Sequence, residues 1–227
     1  MTRTSTRGLA LFGAGAFAAL LFAARAVVPS AASAVTLPDP VVDQPISAPA
    51  GQQTIVFAGG CFWGVQAVFQ HVKGVVSATS GYAGGTVASP NYEEVSTGTT
   101  GHAESVRVVF DTSQVSLGQL LKVFFSVAHD PTELNRQGPD VGTQYRSAIF
   151  YTTPAQQKIV DAYIAQLSAA KVFRAPIVTE VKPLRGFHEA EAYHQNYYNL
   201  HPNQPYIVIN DRPKVEALKT QFADLWR

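Results

Sequence analysis

Residues 54–72 read Thr-Ile-Val-Phe-Ala-Gly-Gly-Cys-Phe-Trp-Gly-Val-Gln-Ala-Val-Phe-Gln-His-Val. The first four residues are apolar or β-branched and predict a short buried strand, which Gly59 and Gly60 bring to an end. A helix is predicted next, because apolar residues then recur at the spacing of one helix face: Val65, Val68, Phe69 and Val72. The stretch therefore predicts a strand, a tight turn and a helix, with Cys61 where the helix begins.

The rest of the chain repeats these strand and helix patterns. Apolar runs predict strands at residues 75–82, 104–110, 147–152 and 177–181. Ser116-x-x-Gln119 and Thr153-Pro154-x-Gln156 are capping sequences that open two longer helices, and shorter helical patterns cover residues 190–198 and 215–226. Strands that alternate singly with helices predict a mixed α/β or α+β domain of two layers.

The N-terminus is typical of a targeting segment. Arg3 and Arg7 give it a basic start, an uncharged apolar run covers residues 8–24, and Ala32-Ser33-Ala34 offers a cleavage site. Residues 1–34 are therefore predicted to be a signal peptide for export, in a bacterium to the periplasm, with an uncleaved inner-membrane anchor as the alternative. The Pro- and Ala-rich residues 35–51 are predicted to be a flexible tether, and residues 52–227 the folded domain.

Composition narrows the classes of function. The chain has 227 residues, which suit one domain, and a formal net charge of +1 with no long run of Lys or Arg. This argues against nucleic acid or an anionic membrane surface as the main partner. The chain contains one cysteine, Cys61, so it can form no internal disulfide. In an exported protein such a cysteine is either buried and inert or a free reactive thiol.

Cys61 lies where a helix end affects its chemistry. The predicted position in the first helical turn brings free backbone N–H groups and the positive end of the helix dipole close to the sulfur, which favours the thiolate. Phe62 and Trp63 adjoin it, so the alternative is a small buried side chain packed between aromatic rings.

Glu104 begins the strand face that Val106, Val108 and Phe110 turn towards the core. Partial burial there would raise the pKa of its carboxyl group and make it a proton donor near neutral pH. The alternative is a strand-end carboxylate that reaches water. Two long irregular segments, residues 84–101 and 130–144, flank Glu104 and Tyr145, and such segments are usually functional.

Seven motifs, in order, resemble those of the peptide methionine sulfoxide reductase family, type A. They are Gly60-Cys61-Phe62-Trp63-Gly64, Gly81-Tyr82-Ala83-Gly84-Gly85, Asn91-Tyr92, Gly101-His102-Ala103-Glu104, His129-Asp130-Pro131, Asp140-x-Gly142-Thr143-Gln144-Tyr145-Arg146-Ser147 and Ala190-Glu191-x-Tyr193-His194-Gln195. The resemblance covers roughly residues 53 to 210. It implies an α+β fold, a two-layer sandwich of a mixed β-sheet with helices on a ferredoxin-like core. It also implies an enzyme that reduces the S epimer of methionine sulfoxide, free or in oxidised proteins, and so repairs oxidative damage.

The resemblance also implies a role for each site residue. Cys61 would attack the sulfoxide sulfur, and Glu104 would supply the proton that lets the sulfoxide oxygen leave as water. The other implied residues contact the substrate: Tyr92 and Tyr145 would hydrogen-bond the oxygen, Phe62 and Trp63 would hold the S-methyl group, and Asp140 would order the site. The resemblance implies no cofactor and no metal, and we expect a monomer.

The chain departs from many members of the family in its cysteines. Those members carry further cysteines that capture the oxidised nucleophile as a disulfide, whereas Ser96 and Ile207 stand where we would look for one here. A sulfenic acid on Cys61 would therefore depend on an external thiol, such as a thioredoxin-like reductant. The chain also lacks the cysteine pairs of the type B enzyme, so the R epimer should lie outside its reach.

Three other functions are compatible with the residues. A cysteine hydrolase would use His102 or His194 as its base. A metal site would use His188, Glu191 and His194, although their spacing does not match a His-Glu-x-x-His motif. A binding module with an aromatic groove would bind the sulfoxide without turning it over. The products of a reaction with methionine sulfoxide and dithiothreitol separate these alternatives from the reductase.

Overall fold

The computed structural model describes residues 1–2, 37–46 and 51–227. Apart from its first two residues, the predicted signal peptide lies outside the described residues, so its prediction stays untested. Among the helices of the described residues, none is both long and apolar enough to cross a membrane.

A mixed six-stranded sheet forms one layer of the domain. Its order is β7-β6-β1-β3-β2-β8, and every neighbouring pair is antiparallel except β6 and β7. Two further strands, β4 and β5, form a separate short hairpin. The bounds are β1 (Gln52–Gly59), β2 (Val75–Ala83), β3 (Ala103–Asp111), β4 (Arg136–Gln137), β5 (Asp140–Val141), β6 (Ser147–Tyr151), β7 (Glu180–Pro183) and β8 (Phe187–Glu189).

Helices form the second layer. They are α1 (Phe62–Gln70), α2 (Tyr92–Ser96), α3 (Leu117–Val123), α4 (Pro154–Ala169), α5 (Tyr197–Leu200) and α6 (Arg212–Gln221). A π turn, Phe124–Ala128, extends α3, and a second one, Ile207–Asp211, leads into α6. Short 3₁₀ turns cover Thr143–Tyr145 and Ala192–His194. The four central strands, with α1 and α3 between them, follow the β-α-β-β-α-β order of a ferredoxin-like core. The predicted α+β two-layer fold is confirmed.

The main core lies between the sheet and the helices. Alternate residues of β1 and β3 face it, among them Ile55, Phe57, Val106 and Val108, and all four are fully buried. Phe57 stacks on both Phe69 of α1 and an aromatic ring of the π turn, with ring centroids 4.7 Å apart in each case. The opposite face of the sheet carries a smaller buried cluster built mostly from alanines, and the helices of the described residues pack on the other face.

Several predicted boundaries are wrong near the C-terminal end. The strand predicted at residues 177–181 begins only at Glu180, and the helix predicted at 215–226 runs from Arg212 to Gln221. The single helix predicted at 190–198 is two short turns separated by Asn196, whose φ of 56° interrupts helical backbone. The Gln195 side chain there bonds both the N–H and the C=O of Ser80 in β2, so contacts between elements decide this segment.

The prediction of a flexible tether is wrong for residues 37–43, which we call the strap. Leu37 is 1% exposed and belongs to the main core. The Tyr163 hydroxyl of α4 donates to the Pro38 carbonyl oxygen at 2.9 Å, and Asp43 accepts a hydrogen bond from the Gly118 N–H of α3 at 2.9 Å. The strap therefore joins α3 to α4. Burial of the Leu37 side chain and these hydrogen bonds hold the strap in place, although its composition predicts a flexible segment.

Candidate active site

One pocket of about 270 Å³ gathers all seven site residues that the motifs predict. It opens at the end of the sheet where β1 meets α1 and β3 begins. Its lining is Cys61, Phe62, Trp63, Tyr92, Glu104, Asp140, Tyr145, Gln204 and Tyr206. The last two were missed, because nothing in the sequence around them connects them to Cys61.

The turn before α1 places Cys61 at the floor of the pocket. Gly60 has a φ of 85°, and a Cβ there would lie 2.5 Å from Cγ of Gln137, so the turn requires glycine. Cys61 is the N-cap residue of α1 and not, as predicted, part of its first turn. It is a free, buried cysteine with 9% of its surface exposed, and it lines the pocket.

Glu104 is a buried acid beside Cys61. Its side chain is 3% exposed, and its Oε2 accepts a hydrogen bond from the Phe62 N–H at 3.0 Å. Burial raises the pKa of this carboxyl group from 4.5 to about 8; the Phe62 N–H opposes the shift, and the negative charges of Asp140 and Asp211 add to it. Glu104 is therefore mostly protonated at neutral pH, and it is not a strand-end carboxylate open to water.

The prediction that the helix end favours a thiolate is wrong for Cys61 in the free protein. Burial raises the pKa of the thiol well above its usual value, and the charges of Glu104 and Asp211 raise it further. The N–H of Trp63 and the ammonium of Lys214 act in the opposite direction but are smaller effects. The helix end stabilises the thiolate less than expected, because the Phe62 N–H already donates its hydrogen bond to Glu104.

Hydrogen bonds fix the polar walls of the pocket. Tyr92 begins α2, and its backbone N–H donates to Glu191 at 2.8 Å, while the Tyr82 hydroxyl donates to the other oxygen of that carboxylate at 2.8 Å. Across the pocket the Tyr206 hydroxyl donates to the Asp140 carboxylate. Burial raises the pKa of the Tyr92, Tyr145 and Tyr206 phenols, so these hydroxyl groups stay protonated donors at neutral pH.

Aromatic rings form the apolar wall. The Trp63 ring stacks on Tyr197, with centroids 3.8 Å apart and planes 7° from parallel, and meets Tyr206 edge-on. Its Nε1–H donates to Nδ1 of His194 at 3.2 Å. Phe62 packs against the same imidazole, with ring centroids 5.1 Å apart. These contacts hold the indole ring in one orientation over the pocket.

The two long irregular segments are bonded to each other, which explains how residues far apart in sequence meet. Thr143 Oγ1 donates to the Gly98 carbonyl oxygen at 3.0 Å, and Gln144 Nε2 donates to the Ser96 carbonyl oxygen at 3.0 Å. The Arg146 guanidinium, also buried, donates to the Gly101 carbonyl oxygen at 3.0 Å. The connection 84–101 and the turn that carries Tyr145 are therefore one framework around Glu104.

The alternative functions find less support in the geometry. Both ring nitrogens of His102 are hydrogen-bonded to the neighbouring loop: Nδ1 accepts from the Gly85 N–H, and Nε2 bonds the Val87 carbonyl oxygen. Nδ1 of His194 accepts a hydrogen bond from the Trp63 indole. Within residues 37–46 and 51–227, no histidine is hydrogen-bonded to Cys61, and no group of three or more His, Cys, Asp or Glu side chains is arranged to hold a metal ion. Glu191, which the metal alternative needs, is engaged by Tyr82 and Tyr92.

Comparisons with known proteins agree with the site. The sequence model described as peptide methionine sulfoxide reductase matches residues 53–225. A peptide methionine sulfoxide reductase MsrA 2 of Mesorhizobium japonicum is 57% identical over 176 residues, which cover 78% of this chain and 90% of that protein. Its namesake in Synechocystis sp. is 52% identical over 190 residues, which cover 83% and 89%.

Solved structures are similar as well. Methionine sulfoxide reductase A of Corynebacterium diphtheriae is 38% identical with a TM-score of 0.59, and the match covers 75% of this chain and 88% of that one. Reduced Mxr1 of Saccharomyces cerevisiae is 30% identical with a TM-score of 0.62, over 72% and 92%. The resemblance that the motifs carry is thereby confirmed: the chain belongs to the peptide methionine sulfoxide reductase family and is an oxidoreductase.

Proposed function

We propose that this chain reduces methionine-(S)-sulfoxide in oxidised proteins, and the free amino acid, by attack of Cys61 on the sulfoxide sulfur. The observation that carries the proposal is the pairing, in one pocket, of a free thiol with a buried carboxylic acid that is protonated at neutral pH. A sulfoxide needs both groups, because its sulfur is a moderate electrophile and its oxygen leaves poorly until it is protonated.

The walls of the pocket match the two sides of a methyl sulfoxide. Phe62 and Trp63 offer the S-methyl group an apolar surface beside Cys61. Tyr92 and Tyr145 present hydroxyl groups that can donate to the sulfoxide oxygen, where negative charge is concentrated. Asp140 acts through Tyr206, because it accepts that residue's hydroxyl hydrogen bond and so holds the ring against Trp63.

The proton balance of the reaction suits two neutral groups. Thiol plus sulfoxide gives methionine plus a cysteine sulfenic acid, with no net gain or loss of protons. Glu104 gives its proton to the sulfoxide oxygen as Cys61 forms its bond to the sulfoxide sulfur, and the resulting carboxylate accepts the proton of the thiol. This second proton then lets the S–O bond break and the oxygen leave as water. Attack of water on the Cys61 sulfur breaks the new S–S bond, which releases methionine, leaves the sulfenic acid and returns a proton to Glu104. The raised pKa values of both groups keep these two protons in the pocket until a substrate arrives.

Recycling of the sulfenic acid depends on thiols from outside the chain. A first external thiol condenses with the Cys61 sulfenic acid to give a mixed disulfide and water, and a second thiol releases Cys61 and leaves as a disulfide. One sulfoxide and two thiols thus yield methionine, water and one disulfide, so atoms and electrons balance. We propose a thioredoxin-like protein or a small thiol as this reductant, and a monomer that uses no cofactor and no metal.

A single-turnover experiment tests this cycle. Reduced protein mixed with one equivalent of methionine sulfoxide should release one methionine and leave a species that dimedone traps. Cys61→Ser should abolish the reaction with circular dichroism unchanged, since one heavy atom differs. A disulfide-linked dimer as the main product, with no dimedone adduct, would contradict the proposed intermediate, and more than trace turnover by C61S would contradict the nucleophile.

We also propose that the protein acts after export, in the periplasm of a bacterium. The support is the basic start, the apolar run and the Ala32-Ser33-Ala34 sequence. Mass spectrometry of the protein from its native host should find Val35 at the mature N-terminus. Recovery of the full-length chain from the cytosolic fraction would overturn the location and leave the proposed chemistry untouched.

A further inference from the structure

The segment that completes the pocket also brings two charged side chains beneath α1. Gln204 and Tyr206 line the pocket, and the π turn Ile207–Asp211 then leads directly into α6. Such turns contain one residue more than an α-helical turn and often occur at functional sites. Here the turn ends on Asp211, which is 0% exposed, and Lys214 follows on the first turn of α6.

Both side chains contact the first turn of α1. A Cβ added to Gly64 would lie 2.2 Å from Oδ1 of Asp211 and 3.0 Å from Nζ of Lys214, so these groups occupy the space beside its Cα. Gly64 lies in the first turn of α1, and Cys61 is the N-cap residue at the start of that turn. The carboxylate and the ammonium therefore lie beside the turn that begins at Cys61, close enough for both charges to act on its thiol.

The stability of the fold alone gives no reason for this pair. Lys214 Nζ lies 3.3 Å from Oδ1 of Asp211, but the buried Oδ2 has no hydrogen-bond partner among the described residues. Burial raises the pKa of Asp211, and Lys214 only partly opposes that shift. Well-packed apolar side chains usually stabilise such a position as well as a buried ion pair does, or better. A contribution of Asp211 and Lys214 to the reaction at Cys61 would explain why the pair is present.

We propose that Asp211 and Lys214 are positioning residues for the reaction at Cys61, a proposal that rests on the role of Cys61 as nucleophile. Lys214 places a positive charge beside the first turn of α1, next to Cys61, and so favours the thiolate as the bond to the substrate forms. Asp211 holds the ammonium against α1 and offsets part of its charge. The two residues thus act on Cys61 in opposite directions, as the signs of their effects on the thiol also indicate.

The other titratable groups near Cys61 do not reproduce this balance. Glu104 on β3 and Asp140 on β5 carry negative charge when ionised, and the phenols around the pocket are neutral at neutral pH. His129 beside Gly59 and His194 beside Phe62 are kept neutral, because burial lowers the pKa of each imidazole. Lys214 therefore contributes a positive charge that these groups do not supply.

The two partners predict opposite changes, which alkylation can measure. Cys61 is the only cysteine, so the rate of reaction with iodoacetamide as a function of pH reports the apparent pKa of this thiol and of no other. Asp211→Asn should lower the apparent pKa of Cys61 by roughly one unit, and Lys214→Met should raise it by a similar amount, as expected for a unit charge a few ångströms away. At neutral pH the alkylation rate should thus rise about tenfold in D211N and fall about tenfold in K214M.

Matched controls lie on the exposed side of the same helix. Glu216→Gln and Lys219→Met remove the same charges from solvent-facing positions of α6, where salt screens them, and should leave the alkylation profile unchanged. Lys214→Arg keeps the charge and should keep the wild-type profile. If circular dichroism shows that D211N is unfolded, K214M and K214R decide the question between them.

The proposal is overturned if D211N and K214M shift the profile in the same direction, or if both stay within the range of the controls. A purely structural pair would lower stability in both variants and give no opposite shifts. Because alkylation requires no substrate, the result is independent of the reductase assay. If D211N and K214M give opposite shifts but C61S still reduces the sulfoxide, the proposed function is refuted and the electrostatic coupling still holds.

Discussion

Replacement of Glu104 by glutamine tests two consequences of a buried, protonated acid: delivery of a proton to the sulfoxide oxygen, and a stability of the fold that falls as the pH rises. Gln keeps the volume and a hydrogen-bond donor but cannot deliver a proton to the departing oxygen. We expect the chemical step, measured as single-turnover release of methionine near pH 7, to slow by roughly a hundred- to ten-thousandfold, the usual contribution of a general acid. The rate of the wild-type chain should also fall above about pH 8, because Glu104 then loses its proton.

The same substitution should stabilise the fold, increasingly so at higher pH. The pKa of Glu104 is about 8 in the folded chain against 4.5 as its ordinary value. Since the folded value is raised, the neutral acid's contribution to stability is complete below about pH 4.5 and is lost as the pH rises towards 8. At about 1.4 kcal/mol per pKa unit, wild type should lose about 3 kcal/mol of unfolding free energy between pH 5.5 and pH 8.5, a loss that E104Q escapes.

Urea unfolding at these two pH values measures the difference, with Glu93→Gln as the control. Glu93 is an exposed carboxylate on α2, so its removal should change neither the rate nor the pH dependence of stability. Wild-type turnover in E104Q would refute the role of Glu104 as acid. A stability difference between E104Q and wild type that is constant with pH would refute the argument from burial, whatever the rate.

Three further predictions address other parts of the chain. Leu37→Ala should lower the unfolding free energy by about 2–5 kcal/mol in urea titration, because it empties a buried site under the strap; no loss would mean that the strap is a tether after all. Burial lowers the pKa of His129 from 6.5 to about 4, so the stability that the neutral imidazole contributes is complete above pH 6.5 and is lost as the pH falls. The unfolding free energy should drop by about 2 kcal/mol at pH 5, and His129→Gln should not show this loss. Tyr206→Phe removes the hydroxyl bonded to Asp140 and should lower kcat/KM about tenfold, with unchanged values showing that Asp140 does not act through it.

Local patterns predicted the parts of the fold that local contacts decide. The apolar stripe of α1 and the capping box at Ser116 and Gln119 are present as expected, with both reciprocal hydrogen bonds of the box formed. Residues 190–198 could not be predicted in this way, because the Gln195 amide bonds β2 and Asn196 adopts a left-handed conformation. Their backbone follows partners that are distant in the sequence.

The motifs located the pocket, but they did not reveal its electrostatics. Cys61, Glu104 and the other five predicted residues meet in one place, whereas Tyr206, Asp211 and Lys214 come from a segment whose position depends on how α6 packs against α1. No spacing in the sequence indicates that contact. The raised pKa of Glu104 was predicted from its place on β3, whereas the charges of Asp211 and Lys214 beside α1 were not.

The failed expectation about the thiolate shows how the site conserves its protons. A helix N-terminus has few free N–H groups, and here one of them serves the Glu104 carboxyl group instead of the Cys61 sulfur. Two acidic groups that share one helix end and repel each other when ionised do not titrate independently, so their apparent pKa values belong to the pair. Ionisation of one raises the pKa of the other, which keeps at least one proton in the pocket. For a reaction that must protonate an oxygen while it forms a sulfur bond, a proton retained in the pocket matters more than a thiolate formed in advance.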